Sequence, residues 1–322
     1  MTRLVTLEAI RDAARTIKGT ARWTPVIDVS QTPAAPLWLK CENFQLAGAF
    51  KIRGALNMIG RLDAGGSLSG VITYSSGNHG RAVALSARLA GIPATVVMPV
   101  TAPAIKVQSV KDLGAEVIFA GTTSVERQTR AEREVKARGL KMVPPFDHEW
   151  IIAGQGTIGL ELVEQCPGVS QVYVPVGGGG LISGIAAAIK QLGRAIEVIG
   201  VEPAGAAKMS ASLKAGHPVT LPSTASIADG LLPVRPGDLT FAHVREYVDE
   251  VVTVEDGAIA AAVGWLFREG KLVVEPSGAA AFAAATNARE TGRSRGATVA
   301  IVSGGNIAAS DLAALVAATL NP

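Results

Sequence analysis

The sequence predicts an α/β protein built on two open, twisted, mostly parallel sheets. Strand-like and helix-like segments alternate along most of its length, the rhythm of β-α-β units. The composition fits sheets covered by helices on both faces: 48% of residues are hydrophobic, 18% are charged and 36 are glycine. At 322 residues the chain is long enough for two buried cores.

The elements follow in order. Thr6 to Lys18 reads as a helix: Leu7, Ile10, Ala14 and Ile17 share a face, and Thr6 can cap the start. Gly70–Tyr74 is a short buried strand, His79–Ala90 a helix, Ala94–Met98 a strand and Ala104–Leu113 a helix. Glu116–Phe119 is a further strand, and Ser124–Arg138 a charged helix. Gln171–Val176 is a strand running into Gly177, Gly178, Gly179 and Gly180, with helix Ile182–Leu192 and strand Glu197–Val201 behind it. Thr298–Val302 is a late strand ending at Ser303-Gly304-Gly305-Asn306. We read residues 1–60 and 149–322 as a large cofactor-binding domain and 61–148 as a smaller one. The cleft between two such sheets, at the carboxyl ends of strands, is where a cofactor binds.

Composition also excludes. Net charge is +3, aromatics are 4%, and no basic run carries interleaved aromatics, so no nucleic-acid partner is expected. No apolar run is long enough to span a membrane, the N-terminal segment does not read as a signal peptide, and no regulatory domain is expected after the last helix. Cys41 and Cys166 are the only cysteines, which suits a reducing, cytoplasmic compartment.

Four segments carry candidate chemistry. Lys51 lies among small and apolar residues at a helix start, where desolvation and the helix terminus lower an ammonium pKa toward the free amine that Schiff-base chemistry needs. Ser75-Ser76-Gly77-Asn78-His79 joins a strand to a helix, a setting whose backbone N–H groups suit a carboxylate. Gly177–Gly180 lets the backbone approach a phosphate closely. The run matches neither the dinucleotide fingerprint nor the nucleoside-triphosphate loop, so it suits one phosphate monoester. Ser303 follows a buried strand with a hydroxyl free for a ring nitrogen. Each segment alone also reads as an ordinary turn, cap or snorkelling lysine.

Together these residues resemble the serine/threonine dehydratase and serine racemase family of fold type II (tryptophan synthase β-like) pyridoxal-phosphate enzymes. The resemblance runs from Trp23-Thr24-Pro25 to Asn306. It includes Phe50–Ala55, Ser76–His79, Ile152–Thr157, Gly177–Gly180, Ile227–Gly230, Val274-Glu275-Pro276 and Ser303–Asn306. It implies pyridoxal 5′-phosphate as cofactor and a homodimer. Lys51 is then the Schiff-base lysine and the Cα base, Phe50 packs on the pyridine ring, and Asn78 meets the ring 3′-oxygen. Gly177–Gly180 hold the phosphate, Ser303 meets the ring nitrogen, and Ser75, Ser76, Gly77, Asn78 and His79 hold the substrate carboxylate.

The implied reaction is dehydration and deamination of an L-β-hydroxy-α-amino acid of the serine, threonine, 3-hydroxyaspartate or phenylserine type. The alternatives are a racemase of the same fold and a non-catalytic cofactor carrier. Ser76 stands where the racemases and the hydroxyaspartate dehydratases have a serine, and many threonine dehydratases an alanine, and so keeps racemisation open. Phe146, a candidate substrate contact, stands where they have an asparagine and favours elimination. One departure concerns metal. Lys208 stands where members with a divalent cation have an acid, so its ammonium is expected to replace the cation by pairing with Glu202, and no divalent metal is expected to be required.

Overall fold

The computed structural model describes residues 3–32, 36–75 and 77–318. In chain order its elements are α1 (Leu7–Ile17), β1 (Val26–Asp28), β2 (Leu37–Cys41), α2 (Lys51–Leu62), β3 (Val71–Tyr74), α3 (Asn78–Ala90), β4 (Ala94–Met98), α4 (Ala104–Lys111), β5 (Glu116–Phe119), α5 (Ser124–Arg138) and β6 (Lys141–Met142). There follow α6 (Glu149–Gln165), β7 (Gln171–Pro175), α7 (Gly180–Gln191), β8 (Glu197–Pro203), α8 (Lys208–Ala215), α9 (Asp238–Tyr247), β9 (Glu250–Val254), α10 (Asp256–Arg268), α11 (Pro276–Glu290), β10 (Thr298–Val302) and α12 (Ala309–Ala318).

The strands form two sheets, as the alternation predicts. One has the order β5-β4-β3-β6 and is parallel throughout. The other has the order β1-β2-β10-β7-β8-β9, with only the β1–β2 pair antiparallel. The period-2 geometry of β10 shows how the larger sheet is covered. Val299 and Ile301 face one cluster with Ile158 and Leu162 of α6 and Ile182, Ile185 and Ile189 of α7. Ala300 and Val302 face another, with Val263 and Leu266 of α10 and the alanines of α11. The smaller sheet packs Val71 and Val96 against Ala82 and Val83 of α3 and Ile52, Ala55, Met58 and Ile59 of α2. The proposed boundary at 60/61 therefore falls inside a helix that belongs to the smaller sheet's core.

Local signals behave as the sequence suggests. Thr6 caps α1 by accepting from the Ala9 N–H, and Thr123 and Glu126 form a reciprocal capping box on α5. Helix α7 begins at Gly180, two residues earlier than its apolar periodicity indicates, because the last glycine of the run is itself helical.

A seam of glycines sets the positions of the helices that bear the site. A Cβ on Gly154 of α6 would lie 2.6 Å from the Gly54 Cα of α2, and one on Gly184 of α7 would lie 2.4 Å from the Gly156 N of α6. These contacts are backbone against backbone, so α2, α6 and α7 cross closer than any side chain permits. The segment Ile152–Thr157 is thus the spacer between the helix that starts at Lys51 and the helix that starts at the glycine loop.

Candidate active site

Main-chain pairing assembles the site. Phe50 N–H donates to Ser303 O at 3.1 Å, Gly305 N–H donates to Gly48 O at 2.9 Å, and Ala49 bridges Gly304. The turn carrying Lys51 is thereby laid along the end of β10. Asn306 draws in α3: its Nδ2 donates to Ala47 O at 2.7 Å and to Asn78 Oδ1 at 2.8 Å. Lys51, Asn78 and Ser303, far apart in the chain, meet at the carboxyl ends of strands from both sheets.

Lys51 is the first residue of α2. Its Nζ donates to Pro145 O at 2.8 Å and lies 5.1 Å from the Phe50 ring centre. Among the described residues no carboxylate pairs with it, and burial pushes its pKa down to about 8. It is an ammonium below that pH and a free amine above it. The rate at which the stripped protein recombines with a phosphorylated aromatic aldehyde, followed by absorbance, is therefore expected to rise with pH through about 8 and then level off.

The glycine run is crowded from outside. A Cβ on Gly177 would lie 2.9 Å from Gly230 O, and one on Gly178 would lie 2.3 Å from the Phe146 ring. Gly179 has φ of +98°, which favours glycine. Gly178, Gly179 and Gly180 are buried. Among the described residues, the N–H groups of Gly177, Gly178 and Gly179 meet no acceptor. Buried N–H groups without acceptors, at the start of a 12-residue helix, are donors set for an anion. A monoester phosphate there and an aldehyde carbon at Lys51 are the two ends of pyridoxal phosphate, and these residues fit it.

The segment between Pro145 and Asp147 ties these parts together. Phe146 packs over Gly178 and Gly180. The Asp147 carboxylate accepts from the N–H groups of Asp238, Leu239 and Thr240 at the start of α9. Thr240 Oγ1 in turn donates to Gly178 O at 2.6 Å.

The carboxylate loop is described in part: Ser76 lies outside the described residues. Ser75 Oγ accepts from Gly77 N–H at 3.2 Å, and among the described residues no side chain caps α3, which begins at Asn78, a setting that suits a carboxylate ligand. His79 turns away into the smaller unit, where its Nε2 lies 3.0 Å from Val143 O. Burial, with the nearby Lys51, pushes its pKa down to about 3, so it is a neutral packing residue. Ser303 Oγ donates to Ser277 O at 3.4 Å, a long bond that leaves the hydroxyl free to turn.

Lys208 and Glu202 are both fully buried, with Lys208 Nζ 3.1 Å from Glu202 Oε1. The ammonium also donates to Val176 O at 2.8 Å, Leu231 O at 2.9 Å and Ala206 O at 3.0 Å. Four oxygens surround one cation, and Val176 leads directly into the glycine run.

Sequence reasoning gave no role to Glu275, Asn306, Asp147 or the Pro145 carbonyl, although Glu275 and Asn306 lie in quoted segments and Pro145 and Asp147 flank Phe146. It also missed the charges behind Lys51, where Arg53, Lys40, Glu42 and Glu161 form a buried quartet.

Residues 17–305 match the family model described as pyridoxal-phosphate dependent enzyme. This chain is a fold type II pyridoxal-phosphate enzyme of the serine/threonine dehydratase and serine racemase family. Its relatives include an L-threonine ammonia-lyase of Thermotoga maritima, 44% identical, covering 94% of this chain and 76% of that one. A serine racemase of Oryza sativa subsp. indica is 45% identical, covering 87% of this chain and 83% of the other. The solved maize serine racemase superposes with a TM-score of 0.90 at 40% identity, covering 99% of this chain and 98% of that one. The fold type II architecture expected from the motifs is the one observed, and the cofactor of the family is pyridoxal phosphate, as expected.

Proposed function

We propose that the enzyme converts a small L-β-hydroxy-α-amino acid to a 2-oxo acid and ammonium by eliminating the β-hydroxyl. The bound pyridoxal phosphate supplies the electron sink for Cα–H cleavage. Lys51 would hold it, and its amine would take the Cα proton. The N–H groups of Gly177–Gly180 hold its phosphate, with Phe146 excluding water from that side. The start of α3 orients the substrate carboxylate. Ser303 is a neutral hydroxyl, so no carboxylate keeps a proton on the ring nitrogen, a setting that favours prompt loss of a leaving group.

One observation carries the choice of elimination. Elimination needs a single base at Cα, and Lys51 is that base. Racemisation needs a second proton donor on the opposite face; Ser76, which the sequence offers for that part, lies outside the described residues, and the neighbouring polar side chains of the carboxylate loop are engaged elsewhere. His79 bonds Val143, Ser75 receives Gly77, and Asn78 is held between Glu275 and Asn306. Phe146 adds an apolar ring. The comparisons favour the second reading, a racemase, since the rice and maize racemases are matched over more of their own length than the Thermotoga lyase.

We further propose that the Lys208 ammonium takes the place of a divalent cation beneath the glycine run. Both proposals are tested by following 2-oxo acid and D-isomer together, from L-serine, L-threonine, L-3-hydroxyaspartate and L-phenylserine, with a chelator present. The expected result is 2-oxo acid formation outpacing D-isomer on at least one substrate, at a rate the chelator does not change. D-isomer outpacing 2-oxo acid on all four makes the enzyme a racemase. Activity lost to the chelator and restored by magnesium overturns the role given to Lys208.

A further inference from the structure

Glu275 is a buried carboxyl that the reaction outlined above does not use. It stands immediately before α11. Its N–H donates to Gly304 O at 3.2 Å, and its carboxyl fills the space that a side chain on Gly304 would need: a Cβ there would lie 2.2 Å from Glu275 Oε1. Asn78 Nδ2 donates to that same Oε1 at 2.6 Å. Glu275 therefore lies against Asn78 and beneath the Ser303-Gly304 turn, the two groups assigned to the oxygen and the nitrogen of the cofactor ring.

The polarity of this network is fixed by its ends. Arg81 only donates, and its Nη1 donates to Asn306 Oδ1 at 2.9 Å. Asn306 must then present Nδ2 to Ala47 O, which only accepts, and to Asn78 Oδ1. Asn78 consequently presents Nδ2 to Glu275. One of its two amide hydrogens is taken by Glu275, and the other remains.

We propose that Glu275 is a positioning residue for the cofactor ring. Together with Asn306 it clamps the Asn78 amide, so that the remaining N–H is aimed at the ring oxygen, and it does so as a neutral acid. The clamp rests on the cofactor placement given above, not on the choice between elimination and racemisation.

The surroundings agree with the neutral form. Burial, with the negative charge of Asp229, raises the carboxyl pKa to about 8, against the hydrogen bond from Asn78 and the charge of Lys106 on α4. Lys106 is itself paired with Asp229 at 2.6 Å, and Arg81 reaches Glu275 only through Asn306 and Asn78. The carboxyl is therefore neutral below about pH 8 and charged above it. Once charged, it attracts the Asn78 amide more strongly and sets a second anion on the far side of that amide from the ring oxygen.

The test uses 4′-deoxypyridoxine 5′-phosphate, which keeps the ring oxygen and the phosphate but has no aldehyde to react with Lys51. Its affinity for the stripped full-length protein is measured by fluorescence from pH 6.5 to 9.5. Glu275→Gln keeps the acceptor and cannot ionise, so it is expected to match wild type at pH 7. It is expected to bind about three- to tenfold more tightly than wild type at pH 9.5, a ratio that cancels titration of the probe itself. Glu275→Ala is expected to bind about tenfold more weakly at pH 7. Equal affinities for wild type and Glu275→Gln across the whole range would refute the neutral-acid role. Wild-type affinity in Glu275→Ala would refute the clamp. If the alanine variant does not fold, the glutamine comparison still decides, because loss of binding by Glu275→Gln at pH 7 would also refute the proposal.

Discussion

Lys51→Ala lowers turnover by at least about 10⁴-fold, because one residue both holds the cofactor and takes the Cα proton. Its fold is expected to survive. Among the described residues the ammonium makes one hydrogen bond, to Pro145 O, and has no carboxylate partner, so removing it relieves a desolvated charge as well as breaking that contact. The measurement is steady-state 2-oxo acid release alongside thermal unfolding. A variant that melts near wild type but does not turn over places the defect in chemistry. Residual turnover within tenfold of wild type would move the base to another group.

Arg53→Ala destabilises the protein by about 3–5 kcal/mol, the usual cost of removing one partner from a buried ionic cluster. Arg53 is 1% exposed. It reaches Glu42 through Nε and Nη2, both at 2.8 Å, and Glu161 through Nη1 at 2.6 Å and Nη2 at 3.0 Å. Lys40 closes the cluster by donating to the same Glu161 at 2.6 Å. Two cations balance two carboxylates. Losing the guanidinium leaves Glu42, fully buried, with Thr24 as its remaining neutral partner. Lysine is not a substitute, because a point charge cannot bridge two carboxylates as a planar fork does. Denaturant unfolding of Arg53→Ala and Arg53→Lys checks this, with both expected well below wild type. The cluster joins β2, α2 and α6 directly behind Lys51, so the Arg53→Ala variant is also expected to load cofactor more weakly than its overall stability alone predicts.

How much of this was legible beforehand varied with the physical signal. The parallel α/β architecture could be read because β3, β4, β7 and β10 are short apolar runs that end at glycines or turns. Helix α6 could not be read from periodicity. It carries Gly154, Gly156 and Gly159 and is buried almost all round, so both propensity and amphipathic pattern are lost to the close crossings that require those glycines. Strand β2 was hidden by Lys40, a charge that sits fully buried because Glu161 neutralises it from α6. The same holds within the site. Lys51 and the glycine run announce themselves through local chemistry. Glu275 and Asn306 gain meaning only when α3, α11 and the end of β10 meet, and no local pattern encodes that meeting.

Lys51 as the residue that binds the cofactor aldehyde is the claim on which the whole account stands. The direct measurement is borohydride reduction of the cofactor-loaded enzyme, followed by peptide mapping for a pyridoxyl adduct. The account predicts a stable adduct on Lys51 and on no other lysine. An unmodified Lys51, with the label on a different residue, would contradict it.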